Sequence, residues 1–130
     1  MPALNFMRQF ADAVRHGEKR QTVRAPRKDG RPHAKRGDTI RLYTGMRTKS
    51  CELLAEATVT RVVAIRIEPT CMYLNGKMVP SAIYDRNCEQ TDNAFAKADG
   101  FDSFMEMASW FDDVHGLPFE GTVIHWDEPR

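Results

Sequence analysis

Apolar residues recur at helical steps over residues 5–16 and 91–116, and between these regions they mostly alternate. Phe6, Phe10 and Val14 fall at i, i+4 and i+8, with Met7 and Ala11 beside them and Arg8, Asp12 and Arg15 opposite. This predicts an amphipathic helix over 5–16, with Asn5 as N-cap and Gly17 as its stop. Residues 19–25, KRQTVRA, read as a strand with Thr22 and Arg24 on one face and Gln21 and Val23 on the other. Residues 26–38 hold Pro26, Pro32, Gly30 and Gly37 and read as a loop. A strand follows over 38–44 with Ile40 and Leu42 on one face. The β-branched run 52–68 is then one long bent strand or two, and Asn75-Gly76 marks a hairpin within 72–79. A short helix over 91–100 ends at Gly100. A second, over 102–116, is capped by Asp102 or Ser103 and carries the stripe Phe104, Met107, Ala108 and Phe111. The chain closes on a strand over 121–128. The pattern predicts an α+β fold with five to seven strands, one early helix and two late ones. A small mixed barrel covered by helices closes such strands without open edges.

The chain of 130 residues suits a single domain, 1–130. No apolar run reaches membrane-spanning length, so no membrane association is expected. The first twenty residues carry acids and arginines and lack a signal-peptide apolar core, which points to a cytoplasmic location. Cys51, Cys71 and Cys88 are an odd number at wide spacing with no C-x-x-C, so reduced thiols are expected and neither a metal site nor any other cofactor is called for.

Net charge is +1, but it is unevenly distributed: residues 1–50 hold 13 Lys+Arg and 4 Asp+Glu (+9), and residues 51–130 hold 6 and 14 (−8). Eight of the nineteen basic residues lie between Lys19 and Arg36, with Asp29 the single acid among them. A basic segment on a neutral body suits a local anion site better than a coat for DNA, though two halves of opposite charge can also simply offset one another. Arg24, Arg27, Lys28, Arg31, Lys35 and Arg36 can grip phosphates, and Tyr43, Tyr73 and Trp110 offer faces on which a base can stack. Trp110 beside Phe111 serves equally well as core, and His33 reads as a solvated loop residue.

Three motifs in order carry a resemblance. Gly17-Glu18-Lys19-Arg20-Gln21-Thr22-Val23-Arg24 follows the pattern Gly-x-Lys-Thr-x-Thr-x-Arg, with Arg20 where Thr is common. Gly37-Asp38 comes next. Gly100-Phe101-Asp102-Ser103 then precedes an acidic helix with Glu106. Together they resemble the ASCH domain of the PUA-like superfamily, over nearly the whole chain. The resemblance implies a PUA-like β-barrel with a cleft between barrel and helices, and RNA or a modified nucleoside as ligand. One branch, the bacterial N4-acetylcytidine amidohydrolases, uses a Lys, a Thr and a Glu, which match Lys19, Thr22 and Glu106 here.

In such chemistry Thr22 is a nucleophile or orients a water. Lys19 is a base only if burial or the neighbouring Arg20 and Arg24 lower its pKa, and Glu106 moves the proton or fixes Lys19. Positions 19 and 22 lie on opposite faces of a regular strand, so Lys19 must sit in the turn before it. Each residue also has an ordinary role: Thr22 as a β-former, Lys19 as a helix-end charge, Glu106 as an exposed helix residue. Three functions follow: RNA or nucleoside recognition, deacylation of a small amide, and metal-independent ribonuclease activity.

Overall fold

The computed structural model describes residues 2–82 and 90–130. Among the described residues seven strands and three helices follow in the order β1 (Ala3–Phe6), α1 (Arg8–Arg15), β2 (Gln21–Arg24), β3 (Thr39–Thr44), β4 (Glu52–Ile67), β5 (Met72–Leu74), β6 (Lys77–Met78), α2 (Asp92–Ala98), α3 (Phe104–Val114) and β7 (Phe119–Trp126). The fold is mixed α+β around one seven-stranded sheet.

The sheet is organised by β4. Its first half pairs antiparallel with β3, its second half with β7, and Ile65–Ile67 also pair with β5. β3 carries β1 in parallel, and β7 carries β2 antiparallel. The run 52–68 is therefore one strand, with a register shift between Val59 and Arg61 that leaves Thr60 as an extra residue. Such a bulge bends a strand and raises its twist. The β5–β6 hairpin turns at Asn75 and Gly76, both at positive φ, as the Asn-Gly pair requires. β1 and β2 share no backbone ladder among the described residues. Instead, Arg24 donates from Nη2 to the Asn5 carbonyl at 2.7 Å and joins them by a side chain.

The start of the chain differs from expectation. Asn5 is not a helix cap; it lies in β1, and its Oδ1 accepts from the Met46 amide at 3.0 Å. The helix begins after Met7, whose side chain makes no cap bond. Pairing of Ala3–Phe6 with Arg41–Thr44 supplies backbone partners that helix continuation would otherwise have given, and Phe6 is buried edge-on to Trp126.

The interior has two apolar clusters. One packs α1 and β1 on β3 and the first half of β4. The other packs α2 and α3 on the second half of β4, β5 and the start of β7. The α3 stripe Phe104, Met107, Ala108 and Phe111 is buried as its spacing predicts, and Ser103 caps the helix by accepting from the Glu106 amide. No helix among the described residues is long and apolar enough to cross a membrane. Cys51 and Cys71 are free thiols; Cys88 lies outside the described residues.

Candidate functional site

α1 ends in a tight reversal. The amides of Glu18 and Lys19 both return to the Ala13 carbonyl at 2.9 Å, which turns the chain and drops Lys19 just ahead of β2. Lys19 thus precedes the strand, as the spacing to Thr22 demands, and it is 3% exposed. Its Nζ donates to the carbonyl of Asp99, lies 3.2 Å from Asp99 Oδ1, and stands 5.0 Å from the centre of the Phe10 ring.

Asp99 is the C-cap of α2 and is also buried. The chain leaves it through Gly100 at φ +101°, where a Cβ would stand 2.7 Å from the Phe10 ring. Only glycine meets both conditions. This close approach seats Phe10 against the end of α2 and sets it edge-on to Phe101, 5.7 Å between centroids. Burial pushes the Lys19 pKa down and the Asp99 pKa up, and each shift is opposed by attraction to the other group. Arg24 pushes both groups downward. Gln21, on the opposite face of β2 from Thr22, reaches Asp99 Oδ1 at 3.5 Å.

Thr22 is buried, and its Oγ1 accepts from Arg24 Nε at 3.2 Å, which leaves the hydroxyl proton free to donate. The Arg24 guanidinium lies 5.0 Å from the centre of the Phe6 ring, and burial lowers its pKa from the usual arginine value. Gly121 of β7 makes room for this end of β2: a Cβ there would stand 2.3 Å from the Arg24 carbonyl.

Lys19, Thr22, Arg24 and Asp99 line a cleft of about 310 Å³. Its other walls come from Asn5, Phe6, Met7 and Phe10 on one side and Phe101, Trp110, Phe111 and His115 on the other, with Val23, Ala25 and His33 completing it. The aromatic wall is continuous. Trp110 packs against Phe101 at 5.9 Å and Phe111 at 4.9 Å, and the His115 ring stacks on Phe111.

Of the sequence-predicted residues, Lys19, Thr22 and Arg24 meet in this cleft. Glu106 does not. It is exposed in the first turn of α3, and its Oε2 accepts from the Asp102 amide at 3.3 Å, closing the helix start opposite the Ser103 cap. The carboxylate beside Lys19 is Asp99, whose position ahead of Gly100-Phe101 is its one sequence signal. Arg20 turns back to the Gly17 carbonyl, outside the cleft. Arg27, Lys28, Arg31, Lys35 and Arg36 are exposed in the loop. Tyr43 and Tyr73 lie away from the cleft, whereas Trp110 both lines it and packs on Phe111. His33 is not solvated: it is half-buried, with Nε2 2.7 Å from the Ala25 carbonyl. Among the described residues no three His, Cys, Asp or Glu side chains converge as a metal site. No family model, no curated protein and no solved structure matches this chain.

Proposed function

We propose that the chain is an ASCH-type domain of the PUA-like superfamily whose cleft binds a single base, from RNA or as a modified nucleoside. The observation that carries this is the pairing of an aromatic wall with a polar end of three donor side chains, Lys19, Thr22 and Arg24, beside one carboxylate, Asp99, whose Oδ1 is already met by Lys19 and Gln21. Lys19 and Arg24 have only donors to offer, and the Thr22 oxygen already accepts from Arg24, so Thr22 too presents a proton. A planar ring bearing carbonyl or ring-nitrogen acceptors is the complement of that arrangement. At about 310 Å³ the cleft sits at the low end of small-ligand pockets, room for one base and not for a stack.

A second reading, hydrolysis of an acylated base such as N4-acetylcytidine, is favoured by the burial of Lys19 in the same cleft as Thr22 and by the downward push on its pKa. Thr22 Oγ1 attacks the acyl carbon and its proton passes to the Lys19–Asp99 pair, Lys19 taking it up as it hands one of its own to the Asp99 carboxylate. Arg24 faces the oxyanion, and the cytosine amine leaves with a proton. Water then opens the threonine ester to release acetate. In this scheme Asp99 replaces Glu106 as the partner of Lys19.

The test is calorimetric titration with the four common nucleosides and N4-acetylcytidine, with chromatography for released cytidine. Trp110→Ala is expected to weaken binding about tenfold or more, since a base–aromatic stack contributes about 1–3 kcal/mol. Thr22→Val removes the donated proton and is expected to abolish any turnover, while Glu106→Gln changes neither quantity. Absence of binding by all five compounds at millimolar concentration refutes the base-binding function. Turnover that survives in Thr22→Val refutes the nucleophile.

A further inference from the structure

The loop between β2 and β3 carries charge that the cleft does not use. Residues 25–38 hold Arg27, Lys28, Arg31, Lys35 and Arg36 against Asp29 and Asp38, five cations to two acids. Both acids are engaged locally. Asp29 pairs with Arg27 at 3.0 Å and accepts from the Arg31 amide at 2.9 Å, and Asp38 accepts from the Lys35 amide at 2.8 Å. The side chains of Lys28, Arg31, Lys35 and Arg36 form no ion pair among the described residues, and the Arg27–Asp29 pair is exposed on both sides. Exposed pairs of this kind contribute only about 0–1 kcal/mol and exchange readily for a stronger anion.

Two of these cations, Arg27 and Lys35, line a groove of about 520 Å³ together with His33 and with Asp38, whose carboxylate is turned to the Lys35 amide. His33 lines this groove and the base cleft alike. Its ring is held at the boundary by the contact of Nε2 with the Ala25 carbonyl, at the end of β2 that also carries Thr22 and Arg24. The two hollows are therefore neighbours across one side chain. In a nucleotide the base and the phosphate are separated by one sugar.

We propose that the ligand of the cleft carries a phosphate, which seats in the groove beyond His33 against Arg27 and Lys35 while the base occupies the cleft. This rests on the base-binding function above and narrows its substrate class from nucleosides to nucleotides, free or within an RNA strand. Arg27 supplies a planar fork suited to two phosphate oxygens, and Lys35 a point charge.

The experiment compares each common nucleoside with its 5′- and 3′-monophosphate and with a five-nucleotide single-stranded RNA, by calorimetry at low salt, on wild type, Arg27→Ala/Lys35→Ala and Lys77→Ala. Lys77 lies on the β5–β6 hairpin and lines neither hollow. At least one monophosphate is expected to bind tenfold or more tighter than its nucleoside in wild type and in Lys77→Ala. In the double variant that ratio should fall toward one. Both substituted residues are exposed, so thermal melting of the double variant should match wild type. A further gain with the RNA, and a log–log salt slope steeper by about 0.7 for each added phosphate contact, identifies a strand as the source; equal affinity identifies the free nucleotide. Equal binding of nucleosides, monophosphates and RNA overturns the proposal while leaving the base cleft intact. A phosphate gain that survives in the double variant also overturns it. Binding of monophosphates that depends on Arg27 and Lys35, with no nucleoside binding at all, supports the groove and refutes the base cleft. Failure of every probe refutes both.

Discussion

Removing the Lys19 ammonium tests the buried pair at the floor of the cleft. Lys19→Met keeps most of the side-chain volume and deletes the charge. Asp99 then stays 4% exposed, with the Gln21 amide at 3.5 Å as its remaining side-chain partner, at the outer limit of a hydrogen bond. Breaking a buried pair from one side costs about 3–5 kcal/mol, and so long a contact offsets little, so a loss of about 4 kcal/mol is expected. With an unfolding entropy of about 2.1 cal/mol/K per residue, a chain of 130 residues should then melt about 15 °C lower. The loss should depend on pH with a definite sign. Burial already raises the Asp99 pKa, and Lys19 opposes that rise, so the variant raises it further. A carboxyl whose folded pKa lies above its unfolded value loses stability as pH rises through the interval and regains it on acidification. The deficit against wild type should therefore be smaller at pH 4.5 than at pH 7. Asp99→Asn should cost a similar amount at pH 7 by stranding the ammonium. The double variant Lys19→Met/Asp99→Asn should fall short of the summed losses by about 2 kcal/mol or more. Urea unfolding followed by tryptophan fluorescence measures all of these. Single-variant losses below about 1 kcal/mol, or losses that add in the double variant, would refute the account of the pair.

Gly100→Ala places a methyl 2.7 Å from the Phe10 ring at a φ of +101°, so a loss of about 2 kcal/mol is expected in urea unfolding. His125 is half-buried beside Arg61, with its pKa lowered to about 4 by burial and by that guanidinium, against 6.5 for an ordinary histidine. The unfolded chain then binds more protons between pH 6.5 and 4, so this residue makes stability fall as pH falls through that window; melting of His125→Gln from pH 7 to pH 4 should show a shallower acid decline than wild type.

Elements written in local periodicity were legible. The α3 stripe and the Asn75-Gly76 turn each declare themselves within a dozen residues, and the structure bears them out; the β-branched run 52–68 reads as one bent strand or two, and it is the single strand β4. β1 does not declare itself. Four residues with two buried positions give too little alternation, and Phe6 also fits the helical spacing of Phe10 and Val14. Only pairing with β3, 38 positions along the chain, decides between them. The site divides in the same way. Lys19, Thr22 and Arg24 lie close together in sequence, and the strand period places two of them on one face. Asp99 resembles any acid at a helix end, because its partner Lys19 stands 80 positions away. Glu106 drew attention through its helix, but its carboxylate serves the start of that helix.

The cleft runs along the border of the two apolar clusters: Phe10 belongs with the first, Phe101 and Trp110 with the second. The last residue that β4 gives the first cluster is Val59, the first that it gives the second is Val63, and the extra Thr60 falls between them. No residue of β4 lines the cleft. The joint between the two walls is therefore the bulge behind them, as the jaws of a caliper meet at the joint of their arms. Insertion or loss of one residue at position 60 is expected to change the bend of β4, and with it the spacing of the walls, while every side chain lining the cleft keeps its identity.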